Sequence, residues 1–246
     1  MLSNDLAALP ALSNNKIMNR NVLKYIAVLA MIFDHIAVFL LDNASLGYSI
    51  CRTLGRLTAP IMCFFIAEGF YYTHSKLRYG IRLGFFAIIS QLAYTFANCK
   101  TILTLKLIYD WNAIYALFIG FLILICYETI KIKLMKWLAI AALCGISFIS
   151  DWGVIAALWI LFFYIFRNNA VKRNIIYGII AFVEIAYEYW FMYEKNIPLQ
   201  YGLWHFGLLL AIPILLTYNG EKGRDSAFNK WNRKCKSVQN ILCNIG

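Results

Sequence analysis

Apolar residues run through this chain in blocks of helical length, separated by brief polar stretches. The blocks are 22–41, 57–73, 80–97, 112–128, 134–150, 152–166, 174–193 and 201–218. A membrane-crossing helix needs about 17–25 mostly apolar residues. The pattern therefore predicts an all-α fold, a polytopic transmembrane helix bundle of about eight spans. The fifth and sixth blocks are short and only Asp151 separates them. Ser150-Asp151-Trp152-Gly153 suits a polar hairpin at the membrane surface, with a re-entrant pair as the alternative. Residues 1–21 read as a polar cytoplasmic N-terminus, 22–218 as the transmembrane domain and 219–246 as a basic cytoplasmic tail. The first block contains Asp34-His35 and lacks a small-residue cleavage site, so it reads as an uncleaved signal anchor.

Composition sharpens this picture. Of the 246 residues 62% are hydrophobic and 14% charged, against about 25% charged in a soluble domain. With a mean hydropathy of +0.65, a water-soluble domain and a disordered chain are both excluded. The net charge of +11 would suit nucleic acid, but its placement suits a membrane better. Of the 23 Lys and Arg, all but Arg52, Arg56, Lys100, Lys106 and Lys195 fall at one set of alternate block ends. That alternation predicts that both termini are cytoplasmic and accounts for the charge without nucleic acid. The seven cysteines form no C-x-x-C pair and no metal-like spacing. Cys51 and Cys99 fall in stretches read as loops on the same outer side.

Candidate chemistry lies in the polar residues inside the apolar blocks. An ionised side chain at mid-membrane costs about 2.5–3.5 kcal/mol even on a lenient scale, so Asp34, Glu68, Glu184 and Glu188 must face the interior, be protonated, or line a wet cavity. Asp34 and His35 point about 100° apart on a helix yet can border one cavity, with His35 as a general base. The bland alternative is a helix–helix hydrogen bond. Arg56 can reach a carboxylate such as Asp34 or hold an anionic group; an interfacial, snorkelling Arg is its alternative. Glu184 and Glu188 share a helix face, and His205 begins the eighth block at similar depth. A proton relay is conceivable there, although no block is visibly broken in the Gly/Pro manner of transporter sites.

Several of these residues stand in a familiar order. Asn21-Val-Leu-Lys-Tyr-Ile-Ala with Asp34-His35, then Leu54-Gly-Arg-Leu-Thr-Ala-Pro60 and Phe65-Ile-Ala-Glu-Gly-Phe70, resemble the TraX family, named for the F-pilin acetylase of conjugation systems. Thr73-His74, Tyr79-Gly-Ile-Arg82 and Phe86-Ala-Ile-Ile-Ser-Gln91 continue the match. Asn112, Asp151-Trp-Gly153 and Tyr218-Asn-Gly-Glu-Lys-Gly-Arg224 echo it later. The resemblance implies a multi-pass acetyltransferase of the bacterial inner membrane, with acetyl-CoA as co-substrate and no metal. Its implied acceptor is the pilin N-terminal amine or another cell-envelope molecule. The family is distantly similar to the acyltransferase-3 superfamily, in which a first-helix His and nearby Arg residues are tied to acyl transfer. Carried over by position, His35, Asp34, Arg56 and Glu68 are the expected catalytic residues, and His74, Arg78 and Arg82 the expected CoA-binding ones. His35 lies about 20 Å from the cytoplasmic end of its helix, so the acyl arm would have to thread inward. The competing functions are a proton-coupled transporter and a non-catalytic component of a conjugation or secretion apparatus.

One departure from the family stands out. Its members usually continue, after the Asn-Gly-x-x-Gly-Arg motif, into a further hydrophobic helix containing Tyr-Pro-x-His. Here Trp231 is followed by Asn-Arg-Lys-Cys-Lys-Ser-Val-Gln-Asn, which cannot span a bilayer. The chain is thus expected to be a shortened or frame-shifted member with impaired activity. The charge alternation gives a direct test: a cysteine placed at residue 80 should resist an impermeant thiol reagent added to intact cells, and labelling there from outside would overturn the topology.

Overall fold

A computed structural model describes residues 18–99 and 110–221. The described residues are mainly helical and form no strands, only two isolated bridges, Met18 with Tyr218 and Trp111 with Ser150. The helices are α1 (Arg20–Leu40), α2 (Leu46–Gly55), α3 (Thr58–Tyr72), α4 (Lys76–Cys99), α5 (Ala113–Thr129), α6 (Lys133–Ser147), α7 (Gly153–Ile165) and α8 (Ala170–Glu194). A 3₁₀ segment, Leu199–Leu210, and the short α9 (Ala211–Leu216) close the series. Taking α2–α3 as one broken span and the 3₁₀ segment with α9 as another gives the eight traverses read from the hydropathy. Five of these stretches are long and apolar enough to cross a membrane: α1, Leu46–Tyr72, α4, α8 and Leu199–Leu216.

Two expectations are corrected. The second span begins at Leu46 rather than residue 57, which places Cys51, Arg52 and Arg56 inside it rather than in a loop or at its start. The moderate polarity of Ser49, Arg52 and Thr53 hid this helix from a hydropathy reading. Two spans are also broken, one at Arg56-Leu57 and one by the 3₁₀ segment. Cys51 and Cys99 are free thiols.

The contacts divide the chain into two units, Ile26–Leu216 and a smaller one of Met1–Tyr25 with Thr217–Gly246. In the smaller unit Met18 N–H donates to Thr217 O (3.1 Å), Asn219 N–H to Met18 O (2.9 Å) and Arg20 N–H to Glu221 O (2.8 Å). The Asn19 side chain caps α1 by accepting from Asn21 and Val22 N–H. Arg224, the atypical sequence after Trp231 and the tail's expected cytoplasmic position lie outside the described residues.

In the larger unit the most apolar helices are the central ones. α3, α5 and α7 bury residues on every side, among them Ile61, Phe64 and Phe70, then Leu117, Phe121 and Leu124, then Trp159, Ile160 and Phe163. A helix that is apolar all round belongs inside. α7 has 13 residues, about 20 Å at 1.5 Å per residue, and so falls short of the ~30 Å hydrocarbon core. Central burial removes the need to match the bilayer. α1, α4 and α8 are longer and present exposed apolar faces, including Phe85 and Ile88 of α4 and Ile179 and Phe182 of α8.

Turns 41–45, 110–112, 148–152 and 195–198 lie at one end of this unit, termed the upper end; 73–75, 130–132 and 166–169 lie at the lower end. Two turns at the upper end are joined by backbone: Trp111 N–H donates to Ile149 O (2.9 Å) and Asp151 N–H to Trp111 O (2.8 Å). Beside them Asn112 satisfies itself completely. Its Oδ1 caps α5 by accepting from Ile114 and Tyr115 N–H, and its Nδ2 donates to Ala87 O and Gln91 Oε1, both at 2.9 Å. Gln91 Nε2 in turn donates to Asp110 O (2.8 Å). Gln91 and Asn112, both positions of the TraX resemblance, thus clamp α4 to α5. At the lower end Glu128 accepts from Lys76 and from the Tyr164 hydroxyl, joining α4, α5 and α7. Arg167 stacks on Tyr71 and Tyr164 at 4.5 and 4.7 Å. Asn112→Ala should destabilise the protein by about 2–3 kcal/mol, since it removes a cap and strands a buried amide partner; a lowered thermal midpoint in detergent, with Asn112→Asp partly restoring the cap, is the check.

Candidate functional site

Polar side chains from α1, α2, the 148–152 turn, α8 and the 3₁₀ segment converge about 9–15 Å below the upper end, by helical rise. Small residues let them approach. α1 buries Ala27, Ala30 and Ala37 along one stripe, and Asp34 lies on that stripe. Gly55 faces it so closely that a Cβ there would overlap the Asp34 side chain. Gly207 likewise sits against the Thr53 carbonyl, seating the 3₁₀ segment directly on the backbone of α2.

Asp34 Oδ1 accepts from Arg52 Nη1 at 2.6 Å, with the two side chains 29% and 15% exposed. Arg52 and Arg56 are one helical turn apart and repel each other. The Trp204 indole offsets this, because both guanidinium carbons lie over its ring, at 4.4 and 4.0 Å. The ring faces are negative and attract cations. Trp152 supplies a second face to Arg56, at 5.0 Å. Trp152 is aimed by its turn: Gly153 has φ +47, a left-handed conformation that glycine adopts without penalty, and its carbonyl accepts from Ser147 Oγ at 2.6 Å. The Nε–H groups of Arg52 and Arg56 are buried and meet no acceptor among the described residues. Asp34, Asp151 and Glu188 lie within electrostatic reach of Arg56.

His205 is buried on the 3₁₀ segment, 5% exposed, and stacks on Trp204 with ring centroids 3.7 Å apart. Its Nδ1 lies 3.0 Å from Gly202 O. A carbonyl can only accept, so Nδ1 carries the proton and Nε2 holds the free lone pair. Glu188 Oε2 is 3.7 Å from that Nε2, and Glu184 lies one turn below within electrostatic reach of both Glu188 and Arg56. The arrangement combines two cationic donor groups, a buried imidazole with a free lone pair, and carboxylates able to meet a proton.

The sequence-predicted residues fall into three places. Asp34 and Arg56 are brought together here, although Asp34 pairs with Arg52 rather than Arg56. His35 does not border this cluster as expected: it is exposed on the outward face of α1, its Nδ1 against Met31 O at 2.8 Å. The 100° step between neighbours carries its ring away from Asp34. Glu68 is half-buried on α3 near the lower end, His74 is exposed in the 73–75 turn, and Arg78 and Arg82 are exposed on one face of α4. Arg82 lies 5.8 Å over the Tyr79 ring. Trp152 and Trp204 were not foreseen, since an indole inside an apolar block carries no sign of a cation partner. Glu188 and His205 were placed at similar depth from the sequence, and the structure makes them neighbours.

The TraX protein family model matches residues 19–233. The chain belongs to the TraX family. It is 28% identical over 216 residues to the probable fimbrial assembly protein FimC, serogroup H1, of Dichelobacter nodosus, covering 84% of this chain and 88% of that one. A shorter stretch of 60 residues is 37% identical to an uncharacterized protein of Rickettsia prowazekii (strain Madrid E), covering 24% of this chain and 23% of that one. No solved structure matches.

The Asp34–Arg52 pair pins α1 of this TraX protein. Asp34→Asn and Arg52→Gln should each destabilise it by about 1–3 kcal/mol, less than a fully buried pair because both side chains keep some exposure. The double variant should lose less than the sum of the two in thermal unfolding, a coupling that an additive result would disprove.

Proposed function

We propose that the chain is an integral membrane acyltransferase of the TraX type whose reaction centre is the upper-end cluster. The observation that carries this reading is the pairing of two partly buried guanidiniums, each with a buried Nε–H that meets no acceptor among the described residues, with an imidazole whose Nε2 holds the free lone pair. Acetyl-CoA is the proposed donor, and the acceptor is an amine or hydroxyl of an envelope molecule. The fimbrial assembly protein among its relatives favours a pilin acceptor.

In this mechanism His205 Nε2 takes the proton from the acceptor as the acceptor attacks the thioester carbonyl. The charge developing on the carbonyl oxygen meets the Arg56 and Arg52 donors, a preorganised stabilisation worth several kcal/mol in comparable sites. The C–S bond then breaks, the acyl group stays on the acceptor, and the proton passes from His205 to the leaving thiolate. Glu188 stabilises the transient imidazolium. Arg78 and Arg82 remain candidates for the CoA phosphates, but they lie roughly 15–20 Å below Arg56 along the bundle. Packed rings fill the intervening core: Phe64, Phe163 and Tyr177 touch with centroids at 5.8 and 5.7 Å. The donor arm must therefore pass beside this layer or displace it. The proposed location is the bacterial inner membrane with the N-terminus in the cytoplasm, as the charge alternation favours.

A proton-coupled transporter is the second reading. The two broken spans at the cluster favour it, since interrupted helices mark binding sites in transporters. Purified protein in vesicles, supplied with acetyl-CoA and a pilin N-terminal peptide, separates the two. His205→Ala and Arg56→Ala should each lower acetyl transfer by at least about 100-fold, whereas His35→Ala, on the outward face, should retain most of it. Full activity of His205→Ala, or loss only in His35→Ala, would move the base to the first helix; proton-coupled uptake without thioester cleavage would favour the transporter.

A further inference from the structure

The 3₁₀ segment is unusual by length alone. Leu199–Leu210 runs 12 residues, whereas 3₁₀ runs beyond about 3–4 residues are uncommon and often mark a hinge. It also carries the two site residues Trp204 and His205. Its lower part is fixed: Tyr177 OH donates to Leu208 O at 2.6 Å, Gly207 rests on the Thr53 carbonyl, and below it Arg173 Nη2 donates to Leu215 O at 3.0 Å. Its upper part turns Leu199, Tyr201 and Leu203 outward and seats the buried Gly202 against Met192 of α8.

Rewinding such a segment into an α-helix has a defined geometry. Each residue turns 100° instead of 120° and rises 1.5 Å instead of 2.0 Å. With Leu208 fixed, Trp204 four residues above it would rotate by about 80° and descend about 2 Å. That motion takes the indole off both guanidiniums. In the present form the same indole lies against both guanidiniums, and their Nε–H groups are buried and meet no acceptor among the described residues.

We propose that Leu199–Leu210 is a gate: in its 3₁₀ form Trp204 lids the Arg52–Arg56 pair, and rewinding into an α-helix uncovers the pair for an anionic or carbonyl-bearing group. The ligand class rests on the acyltransferase reading; the gate rests on the geometry alone. The closed form keeps two cations shielded from lipid and headgroups when no substrate is present. The open form frees the donors and turns His205 by about 60° in the same movement, so lid and base move together.

The test uses the full chain in lipid nanodiscs with two readouts that need no turnover. Spin labels at Leu199→Cys and Leu210→Cys, both exposed, report segment length: their anchors are about 22 Å apart in the 3₁₀ form and about 16 Å in the α form. Phenylglyoxal modification of Arg52 and Arg56, read by mass spectrometry, reports the lid. Gly207→Ala cannot fit against the Thr53 carbonyl, so it should shift the population to the shorter distance and raise labelling of both arginines by about tenfold, in proportion to the open fraction. Trp204→Ala should raise labelling with the long distance unchanged, and it decides the lid if Gly207→Ala does not fold. Wild-type distance and labelling in Gly207→Ala, or arginines still protected in Trp204→Ala, would overturn the gate. Absence of acetyl transfer with these shifts intact would refute the acyltransferase reading and leave the gate standing.

Discussion

Two guanidiniums held inside a membrane bundle set the terms for everything around them. A buried cation is tolerable only with a partner charge or a polarisable face, and this chain supplies one of each. Asp34 answers Arg52 through a direct ion pair, and the Trp204 ring lies against both cations. Those contacts dictate the close approaches elsewhere: alanines along α1, Gly55 opposite Asp34, and Gly207 against α2. They also explain the Asp151-Trp152-Gly153 turn, whose left-handed glycine delivers a second indole to Arg56.

The remainder of the larger unit acts as a support for that cluster. The short helices α5 and α7 sit at the centre, where bundle neighbours rather than lipid set the required length. Ring-to-ring packing of Phe64, Phe163, Tyr177 and Trp159 makes a dry layer below the cluster. The lower end has its own brace, in which Glu128 joins Lys76 to Tyr164. Asp34, Arg52, Arg56, Glu188 and His205 thus gather near the upper end, apart from that lower brace.

Family membership and local geometry answer different questions. The match over residues 19–233 assigns the chain to TraX, and a relative 28% identical to it is named a probable fimbrial assembly protein. Neither says which atoms react. The placement of His205 beside Glu188 and of Trp204 against the arginines is the geometry on which the proposed mechanism rests.

Hydropathy alone determined the helical class and the alternation of the spans, because every crossing segment must satisfy its own backbone and match an apolar solvent. Even the short pair around Asp151 emerged at nearly its structural boundaries. Arg56 and Asp34 stood out in the sequence because a charge inside an apolar block is costly and needs a partner. What the sequence did not determine was which face each polar residue takes. Asp34 and His35 are neighbours in the chain, yet Asp34 lies in α1's packing seam and His35 faces out of it, a choice made by the alanine stripe and Gly55. The helix at Leu46–Gly55 was hidden by its polar residues, and only the Arg–Trp and Arg–Asp contacts make it favourable inside the bundle. The 3₁₀ winding that carries Trp204 and His205 was likewise decided by tertiary packing, since the backbone contact at Gly207 and the Tyr177 hydrogen bond act between segments far apart in sequence.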